Sequence, residues 1–392
     1  MNVHAGSTYP EVLANLERYA LAVKREVSPD EPLGVGLWLS ARAATALAKG
    51  RAADELSDWL AQRGLLPFTC NGFPYGDFHR QTVKHTVYTP DWRSERRLHY
   101  TLNLASVLAA LLPRGAEGSL STLPVGWRSA VDSDACGLAR AVRHLLKVVN
   151  GLEALEERTG TWVHVDLEPE PGCWLDRAAD VVRLFHDHLF PAGGESRVAR
   201  YLQVCHDVCH SAVMFEDQAA ALATYRTAGV GVGKVQVSSA IRICFEALGE
   251  AERRAALDEL RGFKEPTYLH QTVVQQEAGG ATVFYDDLPA ALAAHRAGRP
   301  AGEWRVHFHV PLFLASYGRL GTTQDDILAC LDSLEPGQDV RHFEIETYAW
   351  GVLPPELQGR DLAQGIAREI LWLADCALAR QARLKEPAKG VS

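Results

Sequence analysis

The stretch Thr161–Cys173, TWVHVDLEPEPGC, decides how the rest of the chain is read. Trp162, Val163, Val165 and Leu167 make an apolar run with Asp166 inside it. Glu168 and Glu170 then arrive where two prolines and a glycine stop the strand. A strand that is nearly continuous in apolar residues suits a parallel sheet covered on both faces. Carboxylates at its end stand where α/β folds place ligands, beyond the carboxyl ends of the strands.

Other strands end the same way. YLQVCHDVCH (Tyr201–His210) ends in His206, Asp207 and His210, and VGKVQVSSA (Val232–Ala240) carries Lys234 and Gln236. WRVHFHVPLF carries His307 and His309, and HFEIETYAW carries Glu344 and Glu346. Apolar stripes at helical spacing separate these runs, for example Leu138, Val142, Leu145, Val148 and Leu152. The alternation repeats about eight times without a break in composition, which predicts an α/β fold with a single closed (β/α)₈ TIM barrel over residues 1–385. Residues 386–392 are expected to be a flexible tail. An open doubly wound sheet is the alternative; against it, no G-x-G-x-x-G follows the first strands, and GVGVG (Gly229–Gly233) precedes a strand instead of opening a helix.

Composition narrows the function. A net charge of −9 with no basic cluster excludes nucleic acid as a partner, because the electrostatic attraction that dominates such binding is missing. The longest apolar run, around Leu104–Leu112, is too short to span a bilayer, so no direct membrane insertion is expected. The opening residues lack the pattern of a signal peptide, and the eight cysteines are scattered like reduced thiols, which together predict a cytoplasmic protein. The dense C-H-x-x-C-H of Cys205–His210 invites a structural zinc reading, but alternation along a strand and the lack of a second such cluster weigh against it. No G-x-S-x-G nucleophile elbow occurs.

In a barrel the strand ends converge on one mouth, where several carboxylates and imidazoles would repel unless a cation sat among them. Oxygen ligands with one or two imidazoles suit a single divalent metal ion such as Mn²⁺, Mg²⁺, Co²⁺, Fe²⁺ or Zn²⁺. Residues two apart share a face, and the one nearer the strand end is the better ligand, which favours Glu346 over Glu344 and Glu168 over Glu170. A second candidate region, NGFPYGDFH, offers Asn71, Tyr75, Asp77 and His79 on a loop of aromatic, proline and glycine residues that could stack on a sugar or cyclitol ring. Lys84 and TPDWR (Thr89–Arg93) are expected to close that loop. Lys234 shares a face with Gln236 and is read either as reaching the mouth or as a buried counter-ion.

Taken together, NGFPYG, LEPEPG, DVCH, VQVSSA, HFHVPLF and ETYAW resemble the xylose isomerase-like (sugar phosphate isomerase/epimerase) TIM barrels. They look most like the branch called the metabolite traffic protein EboE family, over almost the whole chain from NVHAG to the last helix. The resemblance implies a divalent metal held by a Glu, an Asp, a His and a second Glu. Carried over, these fall on Glu168, Asp207, Gln236 in place of the histidine, and Glu346, with His307 or His309 as a substitute imidazole; His309 is carried as the ligand. It also implies a substrate contact from His210. Glu168, Glu346 and His210 are expected to be catalytic, and Asn71, Tyr75, His79, Lys234 and His307 to contact substrate. The expected activity is isomerisation or epimerisation of a small sugar-like or cyclitol-like substrate by proton transfer through a metal-bound enediolate, within a metabolite biosynthesis or export pathway. A metabolite-binding protein without turnover and a metal-dependent hydrolase are the alternatives.

Overall fold

Seven strands form one parallel sheet: β1 (Leu33–Trp38), β2 (Leu65–Asn71), β3 (Glu117–Thr122), β4 (Trp162–Leu167), β5 (Leu202–Asp207), β6 (Val232–Val237) and β13 (His342–Ile345). Neighbouring strands pair in that order, each parallel to the next. The computed structural model describes residues 3–4, 6–79, 82–295, 301–335, 340–355 and 361–385, so the expected tail at 386–392 lies outside the described residues.

The apolar runs behave as a doubly covered sheet requires. Val163, Val165 and Leu167 of β4 are all buried, and each such side chain taken from water contributes about 1.5–3 kcal/mol. The predicted long helix runs Gly137–Thr159 and packs Ala141, Leu145, Val148 and Leu152 inward. It ends at Gly160, whose φ of +70° is the left-handed cap that a residue without Cβ adopts at little cost. The chain is thus an α/β TIM barrel, with two corrections to the expected count.

First, the barrel sheet has seven strands among the described residues and not eight. Val3 and His4 of the opening NVHAG segment lie in a turn, where His4 stacks on Tyr19 at 4.0 Å. The edges β1 and β13 do not pair, but they come close: a Cβ on Gly36 would lie 1.9 Å from Glu344 Oε1. Only glycine leaves room there for the carboxylate.

Second, WRVHFHVPLF is not a barrel strand. Between β6 and β13 the chain inserts an antiparallel sheet of six strands, β7 (Ile241–Cys244), β8 (Thr272–Gln275), β9 (Thr282–Tyr285), β10 (Glu303–Val306), β11 (Ser316–Tyr317) and β12 (Leu320–Thr322), in the order β11-β12-β7-β10-β8-β9. It has its own core, in which Ile241, Ile243, Phe245, Trp304, Val306 and Phe308 are buried. The short alternating run Glu303–Val306 buries only Trp304 and Val306, the signature of a sheet with one covered face. No helix among the described residues is long and apolar enough to cross a membrane.

Candidate metal centre

Each strand end delivers its side chain to the mouth by a local rule. Asp207 closes β5 and caps the next helix, Val208–Val213, its carboxylate accepting from the His210 backbone N–H at 2.9 Å. The D-x-x-H spacing is therefore a cap and its third helical residue, which sets Asp207 beside His210. Glu346 lies one residue beyond β13 and is pinned by its N–H to the Val237 carbonyl at 3.0 Å. Glu168 follows β4 and donates its N–H to the Thr122 carbonyl at 3.0 Å.

The three carboxylates meet. Glu168, Asp207 and Glu346 are all buried, and each has an oxygen within 4.8 Å of the other two. Burial, then repulsion from Glu346 and Asp207, pushes the Glu168 carboxyl well above its ordinary range. Burial, then repulsion from Asp207 and Glu344, does the same to Glu346. Asp207 goes the other way: burial opposes its ionisation, but His210, His309, the His210 N–H and the Ser238 hydroxyl at 2.7 Å hold it below the usual value.

Amides and imidazoles frame this cluster. Asn71 Nδ2 donates to Glu346 Oε1 at 3.0 Å and Gln236 Nε2 donates to Glu346 Oε2 at 2.9 Å. Asn71 Oδ1 accepts the Phe73 N–H at 3.0 Å, which fixes the orientation of its amide. The HFH run divides by face: Phe308 enters the core of the inserted sheet, while His307 and His309 face the mouth. His309 Nδ1 donates to the Glu346 carbonyl at 2.6 Å, and burial lowers its pKa to about 4, so a neutral ring presents Nε2. His210 Nδ1 donates to the Pro169 carbonyl at 2.9 Å, and His307 Nδ1 to Gln271 Oε1 at 2.8 Å. Their Nε2 atoms face each other at 3.2 Å.

Four polar atoms of this cluster are buried without a hydrogen-bond partner: Glu168 Oε2, Asp207 Oδ2, Gln236 Oε1 and His309 Nε2. Such atoms cost about 1–3 kcal/mol each when left unsatisfied, more if charged. Three are oxygens and the fourth is an imidazole nitrogen whose other nitrogen is anchored on a carbonyl, the arrangement in which histidines bind metal. The donor set fits one divalent ion.

Glu170 is engaged elsewhere. Its Oε1 accepts from the Tyr88 hydroxyl at 2.7 Å and from Gln271 Nε2 at 2.9 Å, and burial raises its pKa. Tyr88 and Gln271 were not singled out by the sequence. Tyr88 sits in a short 3₁₀ turn, Lys84–Tyr88, and Gln271 precedes β8 of the inserted sheet, so no barrel periodicity marks them. The same applies to Tyr268 and Tyr348, which with Phe78 cover the mouth at ring separations of 5.0 to 5.5 Å. Lys84 ties this cover down, donating to the Tyr268 carbonyl at 2.5 Å and Asp287 Oδ2 at 2.7 Å.

Three expected substrate contacts lie away from the mouth. Lys234 is fully buried one layer deeper and bonds Glu344 at 2.9 Å and Ser121 at 3.1 Å, the counter-ion alternative. Tyr75 packs away from the mouth against Tyr100 and Arg96, and its carbonyl accepts the Ala41 N–H. His79 stands behind the cover, bonded through Nδ1 to the Tyr268 hydroxyl at 2.7 Å. Asn71 and His307 line the cavity, together with Glu168, His210, His309 and Glu346. Cys205 and His206 do not join a zinc cluster: His206 bonds Gln218 at 2.8 Å, and all eight cysteines are free thiols.

No model of a known protein family matches the chain, and no curated protein does. Among solved structures it is similar to a xylose isomerase domain protein from Planctomyces limnophilus, at 12% identity over 90% of this chain and 99% of that one, with a TM-score of 0.49. It is also similar to a xylose isomerase-like TIM barrel protein from Mycobacterium smegmatis in complex with magnesium, at 12% identity over 92% and 87% of the two chains, TM-score 0.46. An IOLI protein with a bound zinc atom is 10% identical over 92% and 96%, TM-score 0.42. These are likenesses of chain path, and the site rests on its own geometry.

Proposed function

We propose that this chain is a divalent-metal-dependent enzyme of the isomerase or epimerase kind, acting by proton transfer on a small polyhydroxylated carbonyl compound such as a sugar, sugar phosphate or cyclitol. The observation that carries this reading is the meeting of three buried carboxylates with four unsatisfied polar atoms at one barrel mouth. Glu168, Asp207 and Glu346 would hold the ion, with His309 supplying the imidazole and Gln236 a carbonyl oxygen. When bound, such an ion supplies positive charge that polarises a substrate carbonyl and its neighbouring hydroxyl.

The chain's own residues divide the remaining work. Both oxygens of Glu346 accept an amide hydrogen bond, which suits a positioned ligand. Glu168 keeps Oε2 open, and burial beside Glu346 and Asp207 raises its pKa, which suits a group that takes up and returns a proton. His210, whose Nε2 lies 3.2 Å from His307 Nε2, would contact a substrate hydroxyl or developing oxyanion, and deleting such a donor costs about 3 kcal/mol of transition-state stabilisation. The cavity holds only about 60 Å³, room for a few waters. The Phe78–Tyr268–Tyr348 cover would exclude water from the proton transfer.

Incubation of the metal-loaded chain in D₂O with a panel of aldoses, ketoses and keto-cyclitols tests the reading. Exchange of one carbon-bound hydrogen, seen by NMR and lost in Glu168→Gln, is expected. No exchange with any member of the panel, despite bound metal, contradicts it. A second reading, ligand binding without turnover, is favoured by Gln236, a neutral amide among the ligand positions; ligand-induced stabilisation without exchange would support it.

A further inference from the structure

The opposite end of the barrel, where the strands begin, carries a second cluster that the mouth chemistry does not use. Glu117 is the first residue of β3, His342 the first of β13, and His164 the third of β4. Their ligand atoms all lie within 4.8 Å of one another. His164 Nε2 stands 3.4 Å and His342 Nε2 3.6 Å from Glu117 Oε1. Both nitrogens are buried without a hydrogen-bond partner, and His164 is wholly inaccessible.

We propose that Glu117, His164 and His342 form a second divalent-metal site, of the zinc type, that clamps the edge strand β13 to β3 and β4 across the barrel floor. Two ligand atoms bound at about 2.0–2.1 Å to a tetrahedral ion stand about 3.4 Å apart, so the two nitrogen-to-oxygen distances already match such a site. His164 is oriented as metal-bound histidines are: its Nδ1 bonds Asp166 Oδ1 at 2.6 Å, and Asp166 is held in turn by the Ser119 hydroxyl at 2.5 Å. Gly233 permits this packing, since a Cβ there would lie 2.3 Å from Asp166 Oδ1 and 2.6 Å from the His164 ring. Arg341 takes the other oxygen of Glu117 at 3.1 Å and leaves Oε1 for the ion. A fourth position is open to water from a cavity of about 430 Å³ that Glu117, Trp162 and Gln203 help to line. Two imidazoles and one carboxylate with a water favour Zn²⁺ or Co²⁺ over Mg²⁺.

The test uses the full chain stripped by chelation and titrated with Co²⁺, read by visible absorption and equilibrium dialysis, and with Zn²⁺, read by thermal unfolding. Glu346→Gln, which disables the mouth, is expected to keep a tetrahedral Co²⁺ spectrum and a Zn²⁺-dependent rise in Tm. Glu117→Gln and His342→Asn, each combined with Glu346→Gln, are expected to lose both, with affinity for this ion down at least about tenfold. If His342→Asn fails to fold, Glu117→Gln alone decides, since Glu117 borders the solvent-connected cavity. Unchanged Co²⁺ stoichiometry, spectrum and affinity in Glu117→Gln overturn the site, as does a Glu346→Gln chain that binds no ion. Failure of the mouth reading shows differently: Glu346→Gln then binds metal as the wild type does.

Discussion

The two ends of this barrel use the same residue types to opposite effect. At the floor each carboxylate faces a nitrogen: Asp166 the ring of His164, and Glu117 the rings of His164 and His342 and the guanidinium of Arg341. At the mouth Glu168, Asp207 and Glu346 face one another. The buried cation Lys234 is one layer deeper and committed to Glu344. Folding alone does not require three carboxylates to be desolvated together, and such arrangements cluster at functional sites because the chemistry needs them. The contrast separates a mouth whose carboxylates face one another from a floor whose carboxylates face nitrogens.

The largest test removes the buried cation Lys234. Lys234→Met leaves Glu344 as an uncompensated buried charge and is expected to cost about 3–5 kcal/mol in urea unfolding, whereas Lys234→Met with Glu344→Leu recovers most of it. A next test separates burial from repulsion. Glu369 lies behind the mouth, where burial raises its pKa to about 7 against hydrogen bonds from Thr347, Leu312 and Trp350. The folded chain holds this proton more tightly than the unfolded one, whose glutamates titrate near 4.5. Stability from this group is therefore full below about pH 4.5, falls by about 3 kcal/mol as pH rises to about 7, and is flat above. Glu369→Gln should flatten that slope in denaturation curves taken across this range.

Smaller effects sharpen the mouth itself. Glu346→Gln is expected to stabilise the metal-free chain by about 1 kcal/mol, because it removes repulsion with Asp207, while it abolishes stabilisation by Mn²⁺. Equal loss of stability with and without metal would show that the carboxylates are structural. Tyr75→Phe, outside the mouth, should leave stability within about 0.5 kcal/mol and ligand affinity unchanged, as measured by thermal shift and calorimetry.

How far the sequence could be read followed from periodicity. The doubly buried strands at Trp162–Leu167, Leu202–Asp207 and Val232–Val237 announce themselves as apolar runs, and the acids at their ends come with them. Asp207 and His210 were legible because a helix cap fixes their spacing. The inserted sheet was not legible: its strands are as short as Ser316–Tyr317, and one-sided burial makes them resemble loops between helices. Gln271, Tyr88 and Tyr268 were missed for that reason, since what brings them to the mouth is tertiary packing between the insertion and the loop after β2. Glu117, His164 and His342 were hidden by the same distance in sequence; only His164, two residues before Asp166 on one face, carried a local hint.

The central claim is that the mouth holds a divalent ion between Glu168, Asp207 and Glu346. Anomalous diffraction from crystals of the full chain grown with Mn²⁺ tests it most directly. The account predicts a peak about 2.0–2.3 Å from one oxygen of each of the three carboxylates, with His309 Nε2 turned toward it. Crystals at saturating Mn²⁺ with no peak there, and the three carboxylates still facing one another, would contradict it.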